Sequence, residues 1–80
     1  MAEDQLNIEE RLVKLGQRIK QLRKANGYSS YEKFAIQNEI SRMQYWRYEK
    51  GGEDMRISSL FKIVDALGIT MEEFFAEGFD

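Results

Sequence analysis

Apolar residues recur every three or four positions along most of this chain, the period of a helix rather than a strand. Between Asn7 and Gly27, Leu12, Leu15, Ile19 and Leu22 fall on one face. Asn7 with Glu10 supplies a capping box at the start, and Asn26-Gly27 supplies the stop. Gly16 interrupts this run and costs about 1 kcal/mol relative to Ala unless close packing uses it. It is otherwise the point where an N-terminal extension joins the domain proper. A second, shorter helix over 29–38 is capped by Ser29 or Ser30 and carries Tyr31, Phe34 and Ala35 on one face. Ser41 caps a third, which Lys50-Gly51-Gly52 ends. Ile57, Leu60, Val64 and Leu67 mark a fourth, stopped by Gly68, and Thr70 with Glu73 caps a last one.

The pattern predicts an all-α fold of five helices with short connections, so that neighbours in sequence pack together. Residues 1–6 read as an N-terminal tail, 7–76 as the domain and 77–80 as a C-terminal tail. The second and third helices lie about three residues apart. Two helices that cross steeply need a small residue at the contact, and Ala35 is that residue, with Ile40 plugging the turn. This is helix-turn-helix geometry. Tyr28, Phe34, Leu60, Phe61 and Leu67 read as core, with Phe74 or Phe75 closing it against the first helix.

Composition changes the picture by exclusion. At 80 residues the chain holds one small domain with a thin core. It has no Cys and no His, which leaves no disulfides, no ordinary zinc site and no nucleophile–base pair for catalysis. No glycine-rich phosphate loop is present either, so neither an enzyme nor a cofactor is expected. No apolar run approaches the ~20 residues of a membrane helix, and a cytoplasmic location fits best. The net charge of −2 argues weakly against nucleic acid, but the distribution does not. Residues 11–26 carry six bases and no acid, whereas 53–80 carry two bases against seven acids. One part of the chain can face phosphate while both ends repel it.

The ordered set of "LGQRIKQLRKANGYSS", "FA", "ISRMQYWRYEKG" and "SLFKIVDALGITMEEFF" resembles the phage repressor and Cro-like helix-turn-helix family over about residues 15–75. That resemblance implies a five-helix DNA-binding domain acting as a dimer on a palindromic operator. It implies an ion pair between Arg23 and Glu49, and it places Arg42 and Met43, with Arg47 further on, at base-reading positions. The chain departs from the family at three places. Glu39 stands where the turn is usually glycine, so Asn38 or Glu39 must adopt the turn geometry. The loop before the second helix is one residue longer. The common proline before the fourth helix is absent, and Glu53-Asp54-Met55 occupies a loop that ordinarily approaches phosphate.

If Tyr45 and Tyr48 face inward, Arg42, Met43, Trp46, Arg47 and Lys50 share the outer face, with Gln44 near its edge. An outer face that needed only solubility would hold Glu, Lys and Ala. Arg42 suits bidentate bonding to guanine; as a solvated arginine at a helix start it would oppose the dipole for no gain. Met43 suits a thymine methyl or fills a gap. Gln44 pairs with adenine or phosphate, or is simply solvated. Arg47 suits base or phosphate. Trp46 has three readings: packing on the DNA backbone, a dimer contact, or folding back over the fourth helix. Ser29, Ser30 and Tyr31 lie at a helix start that favours phosphate, and Lys50 and Arg56 are further backbone candidates. Arg18, Lys20 and Lys24 read as a solvated face.

The expected function is therefore a sequence-specific regulator of transcription, with 41–49 as recognition helix in the major groove of double-stranded DNA. A homodimer is expected, through the aromatic tail "EEFFAEGFD" or through Leu6, Ile8, Leu12 and Val13 of the extension. The competing reading is a repressor-like module that binds protein, such as an antitoxin or an antagonist of a larger regulator.

Overall fold

The computed structural model describes residues 7–79, so Leu6 and the rest of the 1–6 tail lie outside the described residues. Five helices follow in order: α1 (Ile8–Ala25), α2 (Tyr31–Gln37), α3 (Arg42–Lys50), α4 (Ile57–Leu67) and α5 (Met71–Phe74). No strand occurs among the described residues. Each cap has a local chemical cause. Asn7 accepts from the Glu10 amide at 2.8 Å while Glu10 accepts from the Asn7 amide at 3.1 Å, a reciprocal box. Thr70 and Glu73 repeat the device at α5. Ser30 caps α2, and Ser41 caps α3. α1 ends at Asn26, whose side-chain amide donates to the Leu67 carbonyl at 2.9 Å and so ties the ends of α1 and α4 together.

The core gathers one face from every helix: Ile19, Phe34, Ala35, Tyr45, Tyr48, Leu60, Ile63, Val64, Leu67 and Phe74 are all buried. Ala35 is fully buried, and Ile40 packs against this cluster as the plug of the turn. Phe34 sits at its centre, with the rings of Tyr28 and Tyr45 at 5.1 and 5.2 Å. Gly16 is used for close packing. A methyl group there would stand 2.4 Å from the Tyr48 carbonyl oxygen and 2.6 Å from that of Glu49. The backbones of α1 and α3 thus touch, and only glycine permits it.

Three expectations are corrected. Phe61 is 48% exposed rather than core. The buried stripe of α4 runs Leu60, Ile63, Val64, Leu67, and Phe61 lies one residue, about 100°, off that stripe. Ile57, expected on the stripe, is exposed at the first turn of the helix. Arg18 is buried, not solvated: it donates to the carbonyls of Phe74 at 2.7 Å and Glu73 at 2.9 Å. Those carbonyls lie at the end of a four-residue helix, where the Glu73 carbonyl has only turn bonds such as that from the Ala76 amide at 3.3 Å, and a guanidinium from α1 caps both. Of the two tail aromatics, Phe74 is fully buried and Phe75 is exposed.

Candidate nucleic-acid interface

The turn that sets α3 against α2 needs one residue with positive φ. Glu39 takes it, at φ 56°, while Asn38 stays at φ −105°. Asn38 remains right-handed because its side chain donates back to the Phe34 carbonyl at 2.8 Å, closing α2. The Glu39 carbonyl accepts from the Lys62 ammonium at 3.0 Å. Lys62 had no sign in the sequence, since its partner is a backbone group reached only once α4 has docked.

Behind α3 lies a rigid mount. Tyr45 is fully buried and Tyr48 nearly so. Glu49 turns inward and receives Arg23 in a forked pair, Nε to Oε2 at 2.7 Å and Nη2 to Oε1 at 3.1 Å, with both side chains under 10% exposed. The third arm of Arg23 donates to the Tyr28 carbonyl at 2.7 Å. Burial alone would lower the Arg23 pKa, but the hydrogen bond and charge of Glu49 outweigh it and leave the guanidinium above its ordinary value. Burial also pushes the Tyr45 phenol far above the tyrosine range, and the adjacent Glu49 charge adds to the shift. The Tyr45 hydroxyl is itself buried beside the Arg23–Glu49 pair.

In front, the helix presents Arg42, Met43, Trp46, Arg47 and Lys50 to solvent. Because Glu49 is consumed by Arg23, the outer face of α3 carries three cations and no free carboxylate. Met43 is 63% exposed, which rules out a gap-filling role within the chain. Gln44 is half-buried and lines a groove with Ser41, Tyr48, Ser59 and Lys62, at the edge of the face rather than on it. Trp46 does not fold over α4. It lies between α2 and the end of its own helix, in a hollow lined by Tyr31, Glu32, Arg42 and Met43, with the Lys50 ammonium 4.9 Å from its ring. Ser29 is exposed beside the cap of α2, Ser30 is occupied as that cap, and Tyr31 is half-buried against the core. Arg56 is exposed at the start of α4, where no side chain caps the helix. Glu53, marked in the sequence as a departure in the loop before α4, has its carboxylate 3.9 Å from Arg47 Nε, a pairing the sequence did not indicate.

No protein-family model matches the chain. It is 35% identical over 65 residues to the control protein C.MunI of a Mycoplasma species, covering 81% of this chain and 88% of that protein. Its fold superposes on the crystal structure of a point mutant of the restriction-modification controller protein C.Esp1396I with a TM-score of 0.73. That alignment is 26% identical and covers 81% of this chain and 85% of the other. At that level of identity and coverage, the chain belongs to the control-protein family and is a DNA-binding regulator of transcription of the Cro/C1-type helix-turn-helix class.

Proposed function

We propose that this chain regulates the genes of a restriction-modification system by binding, as a homodimer, two half-sites about one helical turn apart. Residues 7–76 form the binding domain, and α3 enters the major groove. Arg42, Met43, Gln44 and Arg47 meet base edges, while Ser29, Ser30, Tyr31, Trp46, Lys50 and Arg56 hold sugar and phosphate. The protein works by binding rather than by catalysis, without cofactor or metal, and in the cytoplasm. The observation that carries this reading is the two-sided chemistry of α3. Its one acid is neutralised internally by Arg23, and its outward positions are all basic or large. A helix serving only as scaffold gains nothing from an exposed Met and Trp beside three cations. Self-association is supported by Ile57 and Phe61, one turn apart on α4, and by Phe75 after α5, all of them exposed apolar side chains.

Selection from a randomised duplex pool at two salt concentrations, followed by sequencing, tests it. The expected result is an enriched palindrome whose affinity falls steeply with salt. Arg42→Ala then costs about 1–3 kcal/mol of discrimination at one or two base pairs per half-site, with an unchanged melting curve. An Arg42→Ala protein that enriches the same sequences as the parent removes Arg42 from the base-reading set, and a parent that enriches nothing removes the whole reading.

A further inference from the structure

The loop between α3 and α4 holds Glu53 and Asp54, two acids where a DNA-binding surface gains most from bases. We infer that Glu53 is a positioning residue for specificity: its charge biases Arg47 from the Nε edge, so that the two terminal amino groups are presented to a guanine rather than to the backbone. This rests on α3 reading the major groove.

Three observations carry it. The approach is to Nε, with Oε2 of Glu53 at 3.9 Å, and neither Nη group of Arg47 has a hydrogen bond among the described residues. Those two groups form the fork that matches guanine O6 and N7. The separation is too long for a hydrogen bond, so the carboxylate biases the guanidinium electrostatically without binding it fast. Second, the loop is anchored. Gly51 ends α3 at φ 81°, and its α-carbon packs so closely on α1 that an added methyl would stand 2.5 Å from the Val13 α-carbon. Glu53 therefore starts two residues from a fixed point. Third, the one acid on α3, Glu49, is buried and spent on Arg23, so the carboxylate beside Arg47 comes from Glu53 in the following loop.

The same charge acts oppositely on wrong sites. In a complex out of register with the bases, Arg47 gains most by turning to a phosphate. Glu53 opposes that turn, both by attracting Nε and by repelling the phosphate itself. Discrimination thus comes from favouring one complex and penalising the other.

Glu53→Gln and Asp54→Asn each remove one negative charge from adjacent exposed positions, and only the first touches Arg47. Affinities of the full chain are measured across a salt series, for the selected palindrome and for an unrelated duplex of equal length. With Glu53→Gln, palindrome affinity falls by up to about fivefold, the most an exposed pair supplies. Affinity for the unrelated duplex rises about twofold, and its log–log salt slope steepens by about 0.9 as Arg47 gains a phosphate. With Asp54→Asn, both affinities rise together and the slopes stay parallel. Melting curves of the two variants match the parent, since both positions are exposed. Parallel gains for both variants would reduce Glu53 to a background charge and overturn the proposal. An unchanged ratio of the two affinities would do the same. A parent that distinguishes no sequence at all would instead remove the major-groove reading, and this proposal with it.

Discussion

α3 carries an arginine–glutamate pair on each of its two faces, and the two are built to different tolerances. Arg23 and Glu49, behind the helix, meet through two bonds of 2.7 and 3.1 Å with side chains 4% and 9% exposed. Arg47 and Glu53, in front, stand 3.9 Å apart with side chains about half exposed. The residue types are the same; the solvent differs. Behind the helix, water cannot replace a lost partner, so the pair fixes the position of α3. In front, water competes, and the pair can yield to a ligand at a cost of about 1 kcal/mol or less. A recognition helix needs both: a mount that does not give, and a face whose charges remain available.

Breaking the rear pair has the largest expected effect. Arg23→Ala strands the Glu49 carboxylate in a buried site and also removes the donor to the Tyr28 carbonyl, for a loss of about 3–5 kcal/mol. In a domain of this size that lowers the thermal midpoint by roughly 15 °C or more. Gly16→Ala attacks the same mount from the α1 side. The added methyl meets two backbone carbonyls that cannot rotate away, so α3 must shift, at about 1–3 kcal/mol. Operator affinity should fall further than the melting curve alone explains, because the reading face moves with the mount; a loss fully accounted for by unfolding would count against that coupling. The smallest effect belongs to the front. Met43→Ala should leave the thermal midpoint within what about 0.5 kcal/mol produces, while changing which sequences are selected. A large drop in stability would show that Met43 packs within the protein after all.

The helices were legible because their causes are local. Asn7 with Glu10 and Thr70 with Glu73 announce themselves at a spacing of three, and Gly68 marks an end. The outward set on α3 was legible by subtraction, once Tyr45 and Tyr48 were assigned inward. Arg23 with Glu49 came through resemblance alone, since nothing in a spacing of 26 residues joins two surface-type charges. Arg18 was misread for a related reason: its partners are backbone carbonyls 55 and 56 residues away, and backbone carries no sequence signal. Phe61 was misread because period alone does not set phase. Leu60 and Phe61 are adjacent, and the choice between them is made by Ile63 and Val64 three and four residues on. At the turn, Asn38 tolerates positive φ better than Glu39 does, yet Glu39 turns, because Asn38 is held right-handed by its bond to the Phe34 carbonyl.

The clasp of Arg18 on the end of α5 bears on the order in which the molecule opens. A four-residue helix cannot repay its own nucleation, so α5 exists only while docked on α4 and clasped by Arg18 of α1. Its bonds to Arg18 close a loop of more than fifty residues, and closing a loop that long favours their forming late in folding. Amide hydrogen exchange in α5 should therefore report a partial opening at lower free energy than the α1–α3 unit, with the recognition helix still mounted while the tail has let go. That opening releases Phe74 and two acids at once. On that expectation the last residues of the domain melt as a separate unit, held to the rest by the Arg18 guanidinium, the Phe74 ring and packing on α4.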